Sequence, residues 1–420
     1  MTQPTPPRFD SRLFAVRAAI LLNLLIAASY IALWMVSVRQ KIYRGSDFTA
    51  FYTGWSIVRG GQAAQLYDQS VQTAYQRVVL GGGQFQDGFL PYLNPPYATL
   101  PFVPLAALSL ETAFILWTIG QFALLVWLLH RLFQLSASWA RTDRRLLASI
   151  IIAFPALFLT LILGTFSLLM LVCFVELYLA LRGQRSGRAA LWLVLATIKF
   201  QVIGLPVLML LVGRRWRVLG YAGLLFSALV LLSGFVFGWE IWPQYLRFLG
   251  TTSSYFGVFG IKPQLMYTFR GLLATLLGNE RGPLINSVSA LAFAAVALVV
   301  AWLWRRGVRS DRPDFDLRFG LTLLLGLFFS PHLYPHDAMM LVAPGFLLAL
   351  FLQRTNQPTH NFTLFAVTGS WAFLVTDVFG SLGDLHLPIM LILILIGWIS
   401  LALWHYSQSA PLSIPMTHET

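Results

Sequence analysis

Acidic residues are scarce in this chain. Only 16 Asp and Glu stand against 29 Lys and Arg in 420 residues, and charged residues make up 11% in all. Soluble domains carry about 25%, so a soluble globular fold is excluded. The deficit is matched by 57% hydrophobic residues and many apolar runs of membrane-crossing length, with a mean hydropathy of +0.71. Backbone groups in lipid must be satisfied within their own segment, so the expectation is an all-α polytopic membrane protein. Cysteine is nearly absent too: Cys173 alone excludes an intrachain disulfide or a thiolate metal site. The net charge of +13 does not point to nucleic acid, because the Arg residues lie in short loops between apolar runs, where they report topology. No small-residue cleavage site follows the first apolar run, so it reads as a retained helix rather than a signal peptide.

Those runs predict spans at Phe14 to Val38, Glu111 to Phe133, Val218 to Phe237, Leu284 to Trp304, Leu317 to Phe329, Ala338 to Leu352, Phe362 to Val375 and Leu387 to Trp404. Ile150 to Ala180 is flanked by Arg on both sides, which predicts two short spans with a turn at Gly164-Thr165. Ala189 to Val212 is flanked the same way but holds too few residues for two full spans. It reads as two half-spans joined near Lys199. Pro101 and Pro104 make Asn94 to Ser109 a short or re-entrant piece. The total is 10–13 transmembrane or half-membrane helices in one domain, residues 1–420. A first outer loop (39–95) is expected to carry interfacial helices at Asp47 to Arg59 and Gln65 to Leu80, parted by Gly60-Gly61. A second long outer loop covers 239–283. Putting every Arg-rich loop on the cytoplasmic side leaves both termini inside.

With so few ionisable groups, those that remain off the basic side are informative. On this topology Asp47, Asp68, Asp87, Lys199, Lys262, His332, His336, Asp337, Asp377, Asp384 and His386 fall at or near the outer face. Asp47 opens a helix, where a carboxylate is a common cap; the local sequence leaves cap and functional group equally open. Lys199 at membrane depth is costly unless it faces a wet or paired site, or snorkels to the interface. His332 and His336 are spaced for a metal pair on a helix, but Pro331 and Pro335 argue for a loop, and no metal site is expected. Glu176, deep in an apolar run, reads as structurally paired. Among the aromatics, Tyr52, Trp55 and Tyr97 are candidates for stacking on a sugar. Together, a carboxylate, one or two cations and two imidazoles at one leaflet suit a substrate that is half lipid and half polar, with a phosphate at the junction. A carboxylate takes a proton from a hydroxyl, and cations offset charge on a departing phosphate without a divalent metal. A transporter or flippase of a lipid-linked sugar is the alternative; no internal repeat of the kind common in transporters is evident.

Ser46-Asp47-Phe48 through Tyr52, Gly60-Gly61, Leu66-Tyr67-Asp68 and Asn94-Pro95-Pro96-Tyr97 with Pro104 resemble glycosyltransferase family 87. Lys199-Phe200-Gln201, the loop from Arg214 to Arg217, and Ser330-Pro331 leading to His336 extend the likeness over residues 40 to 350, and Gln264 is similar to the glutamine of the family's outer-loop pattern. The chain departs where the family's Gly-Gln reads Gly164-Thr165. The resemblance implies a GT-C fold and an inverting enzyme with an outward-facing site, and the lone cysteine and absent eukaryotic signals fit a bacterial plasma membrane. Its partners would be a polyprenyl-phosphate-sugar donor, with mannose as the expected sugar, and a lipid or glycan acceptor; no cofactor is implied. Asp47 would be the catalytic base. Lys199, His336, His332, Lys262 and Gln264 would serve the donor or its phosphate, and Tyr52, Asp68 and Tyr97 the acceptor side.

Overall fold

A computed structural model describes residues 10–85, 88–253, 262–378 and 387–409. Asp87, Asp384, His386 and the side chain of Asp377 fall outside what is described. The described residues are helical with no named strand. Among the described residues six helices are long and apolar enough to cross a membrane: Ser11–Arg39, Leu110–Leu135, Trp216–Phe237, Asn279–Trp304, Pro335–Arg354 and Leu387–Gln408. A broken seventh joins Arg141–Ala153 to Pro155–Leu163 at a bend of 44°, where Pro155 lacks the N–H that would continue the first helix. This segment was expected to begin at Ile150; an amphipathic turn carrying Arg144 and Arg145 extends it back to Arg141.

Shorter helices fill the centre. Every residue of Asp314–Phe328 except Arg318 is buried, as is most of Ser167–Arg182. Helices apolar on all sides belong in the core, shielded from lipid by the longer ones. By contrast Ser11–Arg39 keeps most of its surface exposed, as a lipid-facing helix does.

Polar groups collect at the two ends of these central helices. At one end Glu176 pairs with Arg131 and Arg188, and Asp316 with Arg182 and Arg354. At the other end lie Ser167, Lys199 and Asp337, which touch one another through Asp337. Along Ser167–Arg182, Glu176 stands about 14 Å from Ser167 and Arg182 about 22 Å from it, at about 1.5 Å per residue. Glu176 is thus paired structurally, as its sequence setting suggested.

The first polar loop brings a correction. The helix Asp47–Arg59 has the expected bounds, but the second runs only over Gln69–Val79, because Asp68 caps it and Ala63–Gln65 forms a separate 3-10 turn. The aromatic residues of the first helix do not form an exposed interfacial belt. Phe48 and Trp55 are fully buried in a cluster with Tyr43, Phe114, Trp117 and Phe166. The helix is roofed by the 3-10 stretch Leu100–Ala107 and by Leu110–Leu135, which replaces water and lipid with ring contacts such as Phe48 to Phe114 at 5.2 Å. Trp55 therefore has no open face on which a sugar could stack.

Candidate active site

Asp47 is the first residue of its helix, and Ser46 occupies the capping position. The turn before it is held by Ser46 Oγ and Thr49 Oγ1, both donating to the Tyr43 carbonyl at 2.7 and 3.0 Å. The Asp47 carboxylate is therefore not needed as a cap. It keeps 34% of its side-chain surface accessible and places Oδ2 3.9 Å from His336 Nε2. Beneath it Phe48 rests on Gly164, whose φ of +66° lies in the left-handed region.

Lys199 reaches the site because its segment is broken. Ser186–Leu195 passes into a 3-10 stretch at Ala196–Val202, with Lys199 itself at φ −114°, ψ 70°, before Gly204–Val212 resumes. This is the joint of two half-spans that the flanking charges called for. The break frees polar groups, and the Asn94-Pro-Pro-Tyr97 stretch meets them. Asn94 Nδ2 donates to the Ile198 carbonyl at 3.1 Å, and the Tyr97 hydroxyl donates to Thr197 Oγ1 at 2.6 Å.

The third segment of the site is Ser330 to Asp337. The His336 carbonyl accepts from Thr160 Oγ1 at 3.2 Å, tying it to Pro155–Leu163. Its ring nitrogen Nε2 lies 3.5 Å from Asp337 Oδ2 as well as 3.9 Å from Asp47. Asp337, buried, takes the Lys199 ammonium on Oδ1. The same oxygen accepts from Ser167 Oγ at 2.5 Å. The loop leading in is strapped from outside: Arg270 Nη1 donates to Pro331 O at 3.1 Å, Tyr267 N to Leu333 O at 2.8 Å, and Lys262 N to the Tyr334 hydroxyl at 2.9 Å.

The structure thus brings Asp47, Lys199 and His336 together from three distant parts of the chain. His332 sits on the adjoining loop with its ring edge-on to Tyr334, centroids 4.6 Å apart. Lys262 is exposed, and Gln264 is half-buried in the turn Pro263–Leu265. Tyr97 supports the Lys199 break. Of the acceptor-side candidates, the Tyr52 hydroxyl donates to Leu108 O at 2.6 Å, and Asp68 caps its helix through Ser70 and Val71. Among the described residues no three His, Cys, Asp or Glu side chains gather as a metal-holding set. Sequence reasoning placed Asp337 on the outer face without a role, and passed over Ser167 and Arg270. For Asp337 the signal was a second ionisable residue next to His336 in an apolar segment. Ser167 had none.

Electrostatically the site is a compact alternation of charges. Burial raises the Asp47 carboxyl above the ordinary range, while His336 and Lys199 oppose that and Asp337 adds to it. Burial lowers His332 to about 3, so this ring is neutral at neutral pH. A carboxylate of raised basicity, open on one side and facing an imidazole and an ammonium, is equipped to take a proton from one group while the ammonium attends charge on another. A separate cavity of about 440 Å³ lies between Arg141–Ala153, Val342–Arg354, His360–Val378 and Leu387–Ser409, and none of the three site residues lines it.

No curated protein and no solved structure matches the chain. The pattern of glycosyltransferase family 87 matches residues 92–331, more than half of the chain. That stretch contains Asn94 to Tyr97, Lys199, Gln264 and the Ser330-Pro331 pair, while Asp47, His332 and His336 lie outside it. A polytopic helical membrane protein carrying this pattern is a membrane glycosyltransferase, and the chain belongs to glycosyltransferase family 87.

Proposed function

We propose that the chain transfers a sugar, mannose in the first instance, from a polyprenyl-phosphate donor to a hydroxyl of a lipid or glycan acceptor, with inversion at the anomeric carbon. The observation that carries this reading is the meeting of Asp47, His336 and Lys199 at one end of the helical core. Asp47 takes the proton of the acceptor hydroxyl. The acceptor oxygen bonds to the anomeric carbon as the bond from that carbon to the phosphate oxygen breaks. The electron pair leaves with the polyprenyl phosphate. Lys199 offsets the charge that develops there while the His336 ring holds the phosphate or sugar, and this stabilisation is greatest where water is excluded. One displacement at one carbon inverts its configuration. The Arg-rich ion pairs lie at the opposite end of the same helices, and positive residues favour the cytoplasmic side. This supports an outward-facing site with both termini inside, and a bacterial plasma membrane is the setting we propose.

The test is transfer from radiolabelled polyprenyl-phosphate mannose, catalysed by purified protein with a membrane extract as acceptor source. Asp47→Asn should lower transfer by at least about 100-fold, the range expected for loss of a general base, with melting unchanged or raised. An Asp47→Asn variant as active as the parent overturns the assignment. Movement of the donor across a vesicle membrane without transfer would replace the enzyme with a flippase.

A further inference from the structure

We propose that Asp337 is a positioning residue of this site, one that aims the Lys199 ammonium without itself touching sugar or acceptor. The inference rests on the transfer reading above.

Four groups surround the buried Asp337 carboxylate. Oδ1 is shared by the Lys199 ammonium and the Ser167 hydroxyl. Oδ2 accepts from the Tyr334 backbone N–H at 3.3 Å and lies 3.5 Å from His336 Nε2. Only 1% of its side-chain surface is accessible, so an acceptor hydroxyl has no approach to it. Asp47, with 34% accessible, is the open carboxylate of the two. Their environments separate their roles.

The arrangement also defines what Lys199 can offer. An ammonium has three N–H donors and no preferred direction of its own. Lys199 stands on a backbone break, and Asp337, 138 residues away in sequence, claims one of its donors. The remaining two are turned away from Asp337. Held in this way, the ammonium is available to phosphate oxygens in one orientation rather than many, which lowers the cost of ordering it when the donor arrives. Asp337 also neutralises the ammonium before the donor binds, so a phosphate gains from directed hydrogen bonds more than from bare charge. Ser167 and the Tyr334 N–H fix the carboxylate in turn, so the lysine is aimed by a chain anchored on two other elements.

A purely structural ion pair would make another pattern, and kinetics of the full-length protein in detergent distinguish the two. Asp337→Asn should lower kcat/KM by about 10- to 100-fold, the cost of misplacing a reacting group, with most of the loss in donor KM. Lys199→Gln should do the same, and the double variant should be no worse than Lys199→Gln alone, because Asp337 acts through the lysine. Asp337→Glu, which keeps the charge, should recover part of the loss. An unchanged donor KM in Asp337→Asn, or a double loss equal to the product of the single losses, overturns the proposal. If Asp337→Asn fails to fold, Ser167→Ala and Asp337→Glu carry the test. Each should raise donor KM, and an unchanged KM in both overturns it. The Asp47→Asn variant is assayed alongside. Full activity there sinks the transfer mechanism whatever Asp337 does, whereas an inactive Asp47→Asn with a normal Asp337→Asn sinks only the positioning role.

Discussion

A methyl group placed on Gly164 would sit 2.7 Å from Phe48 Cβ. Gly164 closes Pro155–Leu163 in the left-handed region at φ +66°, and Phe48 is the residue after Asp47. Gly164→Ala combines backbone strain with an overpacked contact, expected to cost about 1–3 kcal/mol. The push falls one residue from the carboxylate. Transfer should therefore drop more than the melting temperature explains, measured as kcat at a temperature where the variant remains folded. A variant with parental kcat would show that the turn only packs.

The pH profile follows from Asp47. Its carboxyl is raised above the ordinary value of 3.8, so the acid limb of kcat/KM should lie above that pH. Lys199 acts to lower the Asp47 pKa; Lys199→Gln removes that pull and should move the limb to higher pH. A limb that stays put or moves down would show that the ammonium does not act on the base. For stability the sign is opposite to that of a paired carboxylate. A raised pKa gives a contribution that is full below the unfolded value and lost as pH rises through the folded one. Asp47→Asn should thus melt no lower than the parent at neutral pH.

Glu176 tests the other end of the core. Its carboxylate is fully buried between Arg131 and Arg188, at 2.6 Å from each. Glu176→Gln leaves two partly buried cations without their counter-charge and should cost about 3 kcal/mol, the low end for breaking a buried pair because both Arg side chains reach solvent. Donor and acceptor KM should not change in the folded fraction. Thermal melting and initial-rate kinetics on the same preparation check this, and a shifted KM would tie the basic end to substrate.

Tyr97→Phe removes the donor to Thr197 Oγ1, two residues before Lys199. The expected stability loss is about 1 kcal/mol for one hydrogen bond. Donor KM should rise while acceptor KM stays constant, since the Lys199 break loses one support. Equal changes in both would place Tyr97 in a general packing role.

Much of this was legible from charge and hydropathy. Arg clusters on both flanks of Ala189 to Val212, with too few residues for two spans between them, forced a break near Lys199, and the backbone breaks there. Topology alone put Asp47, Lys199 and His336 on one face, and they meet. What was not legible was burial within the first polar loop. The aromatics of Asp47–Arg59 suit an interface and a packed cluster equally well, and only the covering helix Leu110–Leu135 decides between them. The partner of Tyr52 was hidden for the same reason: its hydroxyl finds a backbone carbonyl 56 residues away. Ser167 is one polar residue at the start of an apolar helix, and nothing in its neighbours reports the carboxylate that arrives from position 337.

The break at Lys199 has a consequence for how such a chain can vary. Its loosened backbone is completed by Asn94 and Tyr97, about a hundred residues upstream. Neither stretch is whole alone: the broken segment without Asn94 leaves a carbonyl wanting, and Asn94 without the break has nothing to hold. The two are physically coupled, and randomising them jointly should recover active chains that randomising either one separately misses.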